Sequence, residues 1–521
     1  MSQSSGNPVL MIALDAAEST LIERWTADGT MPHLQRLRER GAYGRMASTA
    51  DWLAGTPWPS FYTGTLPPEH GFLFHLQWRP DIMRHDRPRQ AWLPMTPFYR
   101  AFSQHGRRTI AIDVPITYEL APDARYDGIE VTSWSTHDKI GRTTAHPPGT
   151  MKWINRRFGR EPITLEAVGT CPAKALLRTR DELVRSAHLQ ADLCAALMAR
   201  GRWDFAILAL GAPHRGGHKL WDRTSITGDL APQDESAYDR ALRDVYVACD
   251  EAIGRLVKQA GGGVTVLVCA MHGMRDNYSR FDLTPVMLDR ILAGGKPAAR
   301  AASKPPHALL RQLRNAVPVE LRTSLKSRLP EGVQDALSRF WRPHDKKDWS
   351  RTPAFCLMGD LQALVQINLK GRERDGIVEP GAEYEQRLDQ IAEGLRTFVD
   401  ADTGQPLIKR IGRGNELYPE ATHRRVQPDL ILDWAETAAC LHRAITSTQY
   451  GTLDWPAPGR PLDGRSGHHV SEGWLLAVGE GIVPGTTIGS AHSHDLNATI
   501  HALLGVPRPD HMRGRVLDAI C

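Results

Sequence analysis

Residues 8–19 read PVLMIALDAAES, six apolar residues in a row closed by Asp15 and then by small residues. An uninterrupted apolar run of this length, bounded by turn-forming residues, is the pattern of a strand buried on both faces. Such a strand belongs to a parallel sheet, and it delivers the side chain at its carboxyl end to the edge where these sheets bind ligands. The pattern recurs at 107–115 (RRTIAIDVP, ending at Asp113), 203–214 (WDFAILALGAPH, ending near His214), 263–274 (GVTVLVCAMHGM, ending at His272) and 427–434 (QPDLILDW, with Asp429 and Asp433). Between these runs, segments 31–41, 181–201 and 239–263 carry apolar residues at helical spacing and end in glycine. Strands alternating with helices predict an α/β fold: a mostly parallel central sheet with helices on both faces, and Asp15, His214 and His272 at strand ends.

The chain has 521 residues, enough for more than one domain-sized unit. We expect an α/β core over 1–285, a basic helical insertion or lid over 286–350, and the remainder of the core with cap elements over 351–521. The insertion is rich in Lys and Arg with apolar residues at helical spacing. It reads as a lid with a solvated basic back, and 296–347 could also make weak contact with a membrane surface. The net charge of +5 is small for this length, so no nucleic-acid partner is expected. Seven scattered cysteines without a CxxC pair fit thiols in a reducing compartment. The N-terminus lacks a basic leader, and no run approaches the roughly 20 apolar residues of a membrane span. A cytoplasmic protein is the expectation, and oligomeric state is left open.

His214 and His218, separated by Arg215 and two glycines, can meet one ion from a single helical turn. On its own an HxxxH spacing fits unrelated surface histidines equally well. His272, Asp15 and the doublet His468–His469 change that balance. A buried histidine or carboxylate at a strand end must be hydrogen-bonded, paired or bound to a cation. Arg215 is a candidate fork for a phosphate group, and Asn277 a candidate donor to a substrate oxygen. Trp134, His137 and Asp138 are expected on the substrate side, whereas His70, at a helix end, reads as structural.

The order VLMIALDAAE, TPWPSFYTGTLPPEHGF, GAPHRGGH, MHGM, GHHVSEGWLLAVGEGI and HDLNATIHALLGVP resembles the alkaline phosphatase superfamily, in its type I phosphodiesterase and nucleotide pyrophosphatase branch. The resemblance covers most of the chain. It implies a metal-dependent hydrolase or transferase acting on a phosphate mono- or diester, such as a nucleotide or sugar phosphate, with one or two divalent cations. Zinc is the usual ion, and manganese or iron also suit histidine-rich ligation. Carried over residue by residue, the metal ligands are Asp15, His214, His218, His272 and His469, with His468 a lesser substitute for the last.

Two departures stand out. The family's PDxxGH reads PHRGGH here, and its DHGM reads MHGM, so His214 and Met271 occupy carboxylate positions. The family's attacking threonine, ten residues before the closing glycine, falls at Ala54, and Thr56 stands two residues later. The nucleophile is then Thr56, if its loop bulges, or water held by the metal; Ser60, Tyr62 and Thr63 are weaker candidates. Competing readings are sulfuryl or phosphonyl ester cleavage, non-hydrolytic chemistry at a mononuclear three-histidine centre, and a binding protein on a decayed enzyme fold.

Overall fold

The computed structural model describes residues 6–521 except 122–123, 137–138, 161, 163–168, 296–332, 334–346, 423–424, 426, 438–440, 442 and 455–462. Most of the basic insertion, with its suggested membrane contact, and both His137 and Asp138 therefore lie outside the described residues.

Nine strands form the main sheet: β1 (Val9–Leu14), β2 (Ala42–Ala47), β3 (Thr109–Ile112), β4 (Gly128–Thr132), β5 (Thr144–His146), β6 (Phe205–Leu210), β7 (Thr265–Ala270), β8 (Gly473–Val478) and β9 (Ala491–His492). Their order is β9-β2-β8-β7-β1-β6-β3-β4-β5. At its centre β1 pairs in parallel with both β6 and β7, and β6 and β4 both run parallel to β3. Strand β8 runs antiparallel between β7 and β2. The sheet is thus α/β and mostly parallel, as the apolar runs indicate.

The opening run explains itself once the sheet is seen. Leu10, Ile12 and Leu14 face one core with the helices Ala173–Met198 and Ala241–Ala260. Val9, Met11 and Ala13 face a second core with Phe98, Phe102 and the helix Asp495–Leu504. A strand covered on both sides has no face on which a polar residue could meet water.

The run 427–434 behaves differently from expectation. Leu430–Trp434 joins no parallel strand of the main sheet and pairs antiparallel with Ala363–Ile367 and with Ile408–Arg413 in a separate four-stranded sheet that also includes Ala354–Leu357. Its apolar run is continuous because this sheet too is covered on both faces, by two different clusters, so periodicity could not separate the two cases. Asp429 and Asp433 pair there with Arg372 and Arg410. Asp113 is likewise structural, accepting the backbone N–H groups of Trp134 and Ser135 and the Gln190 amide.

A two-stranded ribbon, Gly273–Asp276 with Gly467–Val470, crosses the carboxyl end of the central strands and sets Met274 opposite His469 and Arg275 opposite His468. This ribbon and the small sheet position the site.

Candidate metal centre

Each histidine of the cluster is delivered by a backbone feature readable in the chain. β1 ends at Leu14, Asp15 follows it, and Ala16 stands in the left-handed region at φ 52°, turning the chain sharply at the sheet edge. β6 runs directly into the helix Ala212–Leu220, which starts with Pro213 in its first turn and carries His214 and His218 on one face. His272 follows β7 by two residues, and His469 lies on the ribbon. All five are buried, between 0% and 4% exposed.

The hydrogen bonds define which ring nitrogens are available. His214 Nδ1 donates to Asp15 Oδ2 at 2.8 Å, and His218 Nδ1 donates to the Gly467 carbonyl at 2.9 Å. A carboxylate and a carbonyl can only accept, so both Nδ1 atoms carry the proton of a neutral ring. Both Nε2 atoms then present lone pairs, and they face each other 3.1 Å apart. Burial, ahead of the neighbouring Arg465 and histidines, holds His218 well below the usual histidine range, so its Nε2 stays unprotonated. Two buried imidazole nitrogens facing each other fit a shared cation, and outer acceptors that fix the tautomer are the usual support of a metal-bound imidazole.

The other rings complete the argument. His272 has both ring nitrogens buried without a hydrogen-bond partner, as has the Nδ1 of His469. Burial, then the charge of His469, pushes His272 down to about 3 despite Asp15 and Asp360. Ligand atoms of His214, His272 and His469 lie within 4.8 Å of one another. Orphaned, neutral, converging nitrogens fit a divalent metal.

Asp15 is hydrogen-bonded on both carboxylate oxygens. Its Oδ2 accepts from His214 and its Oδ1 accepts the Trp58 indole N–H at 2.8 Å. Burial alone would raise its carboxyl, but His214, His272 and Trp58 outweigh burial and hold it far below the usual carboxylate range. In this arrangement Asp15 orients His214. Met271, at the second exchanged carboxylate position, is buried in the apolar cluster below the sheet.

Thr56 is brought near none of these groups by any hydrogen bond. It precedes the helix Pro57–Thr63, and its fully buried hydroxyl lies 2.7 Å from the Leu53 carbonyl and 2.8 Å from Thr49 Oγ1. Ala54 belongs to the apolar cluster of the small sheet, and its N–H donates to Gln362 Oε1 at 3.0 Å. Ser60 bonds His70, whose Nδ1 accepts the Phe72 N–H, so the remaining proton of neutral His70 points at Ser60 and this pair offers no base. Tyr62 donates to the Ile116 carbonyl and Thr63 to that of Pro59.

Arg215 is buried, with Nη2 3.4 Å from the Thr136 carbonyl. Trp134 is fully buried in the core. Asn277 donates to the Arg465 carbonyl and to Asp463, and accepts the Ser279 N–H. Its amide is engaged in holding the loop that leads into His468 and His469. Sequence reasoning missed Asp360 and Arg465. Asp360 lies 3.4 Å from His468 Nε2 and 3.3 Å from His469 Nε2, and it accepts from Arg465 Nη1 at 3.0 Å. No motif marks it, because it arrives from the turn before Ala363–Ile367, in the other sheet.

The ribbon depends on a close approach. A Cβ on Gly467 would stand 2.2 Å from the Gly217 carbonyl oxygen, on the helix that carries His218. Gly467→Ala is therefore expected to force the helix and ribbon apart, to cost about 1–3 kcal/mol of stability, and to weaken metal binding although no ligand is changed. Thermal unfolding and metal content of the variant check this.

Residues 9–452 match the family model described as type I phosphodiesterase / nucleotide pyrophosphatase. Among solved structures, phosphonoacetate hydrolase from Sinorhizobium meliloti 1021 in complex with phosphonoformate aligns over 96% of each chain, with a TM-score of 0.51 and 14% identity. Its complex with phosphonoacetate aligns over the same share at a TM-score of 0.50, a likeness of fold. Murine ectonucleotide pyrophosphatase/phosphodiesterase 5 aligns over 98% of this chain and 97% of its own, at 14% identity and a TM-score of 0.47. A search of curated proteins gives no match. With the family model spanning most of its length, from β1 to beyond the small sheet, the chain belongs to the type I phosphodiesterase and nucleotide pyrophosphatase family.

Proposed function

We propose that this metal-dependent hydrolase works with one divalent cation held by His214, His218 and His469, with His272 beside them, and that water attacks the phosphate ester without a phosphorylated protein intermediate. The observation that carries the reading is the pair of lone-pair nitrogens 3.1 Å apart, each ring fixed from behind by an acceptor. A cation there supplies Lewis-acid polarisation of the ester and activation of water near neutral pH. The chain's own residues orient the rings and exclude bulk water. Arg465, with a quarter of its side chain exposed beside Asp360, is the cation suited to meet the ester's non-bridging oxygens. Zinc suits an all-imidazole set, ahead of manganese or iron. The substrate is a small phosphate mono- or diester, a nucleotide or sugar phosphate being the expected class. Thiols without disulfides at Cys171, Cys194, Cys249, Cys269, Cys356 and Cys521 support a cytoplasmic location. Among the described residues no helix is long and apolar enough to cross a membrane.

The test is elemental analysis of the purified protein together with hydrolysis of aryl phosphate, diaryl phosphate, phosphonate and sulfate esters before and after chelation. One ion per chain and chelator-sensitive phosphate ester turnover are expected. Turnover of sulfate esters alone would overturn the substrate class, and two tightly bound ions would overturn the mononuclear centre. Thr56→Val separates the nucleophiles: it should keep its metal and most of its rate, and lose about 1–2 kcal/mol of stability through the buried hydroxyl's lost hydrogen bonds. Abolished turnover with full metal content would make Thr56 the nucleophile.

A further inference from the structure

Asp360, His468 and His469 also place ligand atoms within 4.8 Å of one another, which invites a second ion site beside the first. The protons argue otherwise. The backbone N–H of His469 donates to His468 Nδ1 at 2.9 Å, so Nδ1 of that neutral ring is the lone-pair nitrogen and Nε2 carries its proton. That Nε2 is fully buried with no hydrogen-bond partner, and Asp360 Oδ1 lies 3.4 Å away. Arg465 Nη1 donates to the same carboxylate oxygen at 3.0 Å, and His469 Nε2 approaches the other at 3.3 Å. Asp360 is thus faced by a guanidinium and two imidazole N–H groups. A metal at this point would have to displace protons from neutral rings and would stand next to a fixed positive charge.

Once Asp360 takes the Nε2 proton of His469, the opposite nitrogen is left. His469 Nδ1 is buried with no hydrogen-bond partner, and its ring lies 4.7 Å, 4.8 Å and 4.6 Å, centroid to centroid, from His214, His218 and His272. We propose that Asp360 is a positioning residue of the metal centre: it fixes the tautomer of His469 so that this ring binds the cation through Nδ1, with Arg465 and His468 holding the carboxylate in place.

The three ligating rings would then share one construction, an acceptor behind each: Asp15 for His214, the Gly467 carbonyl for His218 and Asp360 for His469. The difference lies in provenance. Asp360 belongs to the turn between Ala354–Leu357 and Ala363–Ile367 of the small sheet, so among the described residues the small sheet would reach the metal through this carboxylate, behind a ligand, and not through a ligand of its own. The inference rests on the metal-centre reading above.

The test measures zinc stoichiometry and affinity, by competition with a chromophoric chelator of known affinity, for the full-length wild type, Asp360→Ala, Asp360→Asn and His468→Gln. Asp360→Ala is expected to bind as many ions as the wild type but about 10- to 100-fold more weakly, the usual effect of removing an outer partner of a metal-bound histidine. Asp360→Asn, whose side-chain oxygen still accepts from His469 Nε2, should recover part of that loss, a graded rescue that simple loss of packing would not give. It also stands in if the alanine variant does not fold. His468→Gln should keep the wild-type number of ions. Loss of one whole ion equivalent in Asp360→Ala or His468→Gln would overturn the proposal in favour of a second metal site, and wild-type affinity in both Asp360 variants would overturn it outright. If the wild type itself binds no divalent ion, the metal-centre reading fails and this inference with it. If the wild type binds an ion and the Asp360 variants bind it equally well, only this inference fails.

Discussion

His214→Ala is expected to emerge from purification and dialysis with its divalent cation lost and its phosphate ester hydrolysis gone. Two effects add. The substitution removes one of the two lone-pair nitrogens that face each other 3.1 Å apart, so the remaining rings offer an incomplete set. It also strips Asp15 of one of two short hydrogen bonds: with His214 gone, the buried carboxylate keeps the Trp58 indole N–H but loses the imidazole N–H on its other oxygen. An uncompensated buried charge of this kind costs about 3–5 kcal/mol, unless the carboxyl takes up a proton. Metal affinity should fall by about 100-fold or more, exceeding the effect expected for any outer partner. Elemental analysis and thermal unfolding of the variant read both effects. A His214→Ala protein with a full complement of metal would sink the assignment of the helix Ala212–Leu220 as the ligand-bearing element. His469→Ala should likewise lose metal, while leaving the Asp15 pair with His214 intact.

The second large effect is on acid stability. Burial lowers His70 to about 3 and His272 to about 3, both from an ordinary value of 6.5. Between pH 6.5 and roughly 3 the unfolded chain holds a proton on each of these rings that the folded chain does not. Protons therefore favour unfolding across that window, and stability present above pH 6.5 is lost as the pH falls. Each ring contributes a slope of up to about 1.4 kcal/mol per pH unit. His70 lies outside the metal cluster, bonded to Ser60, so part of the effect should persist whether or not metal is present. Chelator-treated protein is expected to show a midpoint that drops steeply between pH 7 and pH 5 in thermal unfolding. A flat midpoint over that range would mean that these rings are hydrated in the folded state. Added zinc should raise the midpoint at pH 7.5 and still raise it near pH 6, because the ring nitrogens of His218 and His272 are already unprotonated in the folded protein.

The parts of the molecule legible in the sequence are those governed by local pattern. The runs at 9–14, 205–210 and 265–270 are strands because nothing polar interrupts them, and Pro213 with His214 and His218 reads as a helix start with a two-histidine face. Local pattern also locates the histidines, since a strand end is a definite place in an open sheet. It could not assign the run 430–434 to the right sheet, because any strand covered on both faces looks alike. Nor could it say what the carboxylates do. The hydrogen bonds of Asp15 to His214 and Trp58, and those of Asn277 to the loop before His468, come from tertiary packing that no local pattern encodes. Asp360 is invisible, since only the packing of one sheet against the end of another brings it to His469. The tautomers that decide which nitrogens bind are a property of tertiary hydrogen bonds, and no spacing encodes them.

The ribbon that pairs Met274 with His469 joins stretches of chain separated by nearly two hundred residues, and this bears on when the protein can acquire its metal. During synthesis His214, His218 and His272 leave the ribosome long before Gly467, whose carbonyl orients His218, and before His469 itself. A growing chain thus carries histidines without the partners that select their tautomers, and its grip on a metal ion must be weak and unselective. With the proposed ligand set, an ion would be captured only near the end of synthesis, and the metal available at that moment would determine which ion is installed. Ribosome-bound chains stopped before residue 467 would reveal this by failing to retain zinc that the finished chain holds.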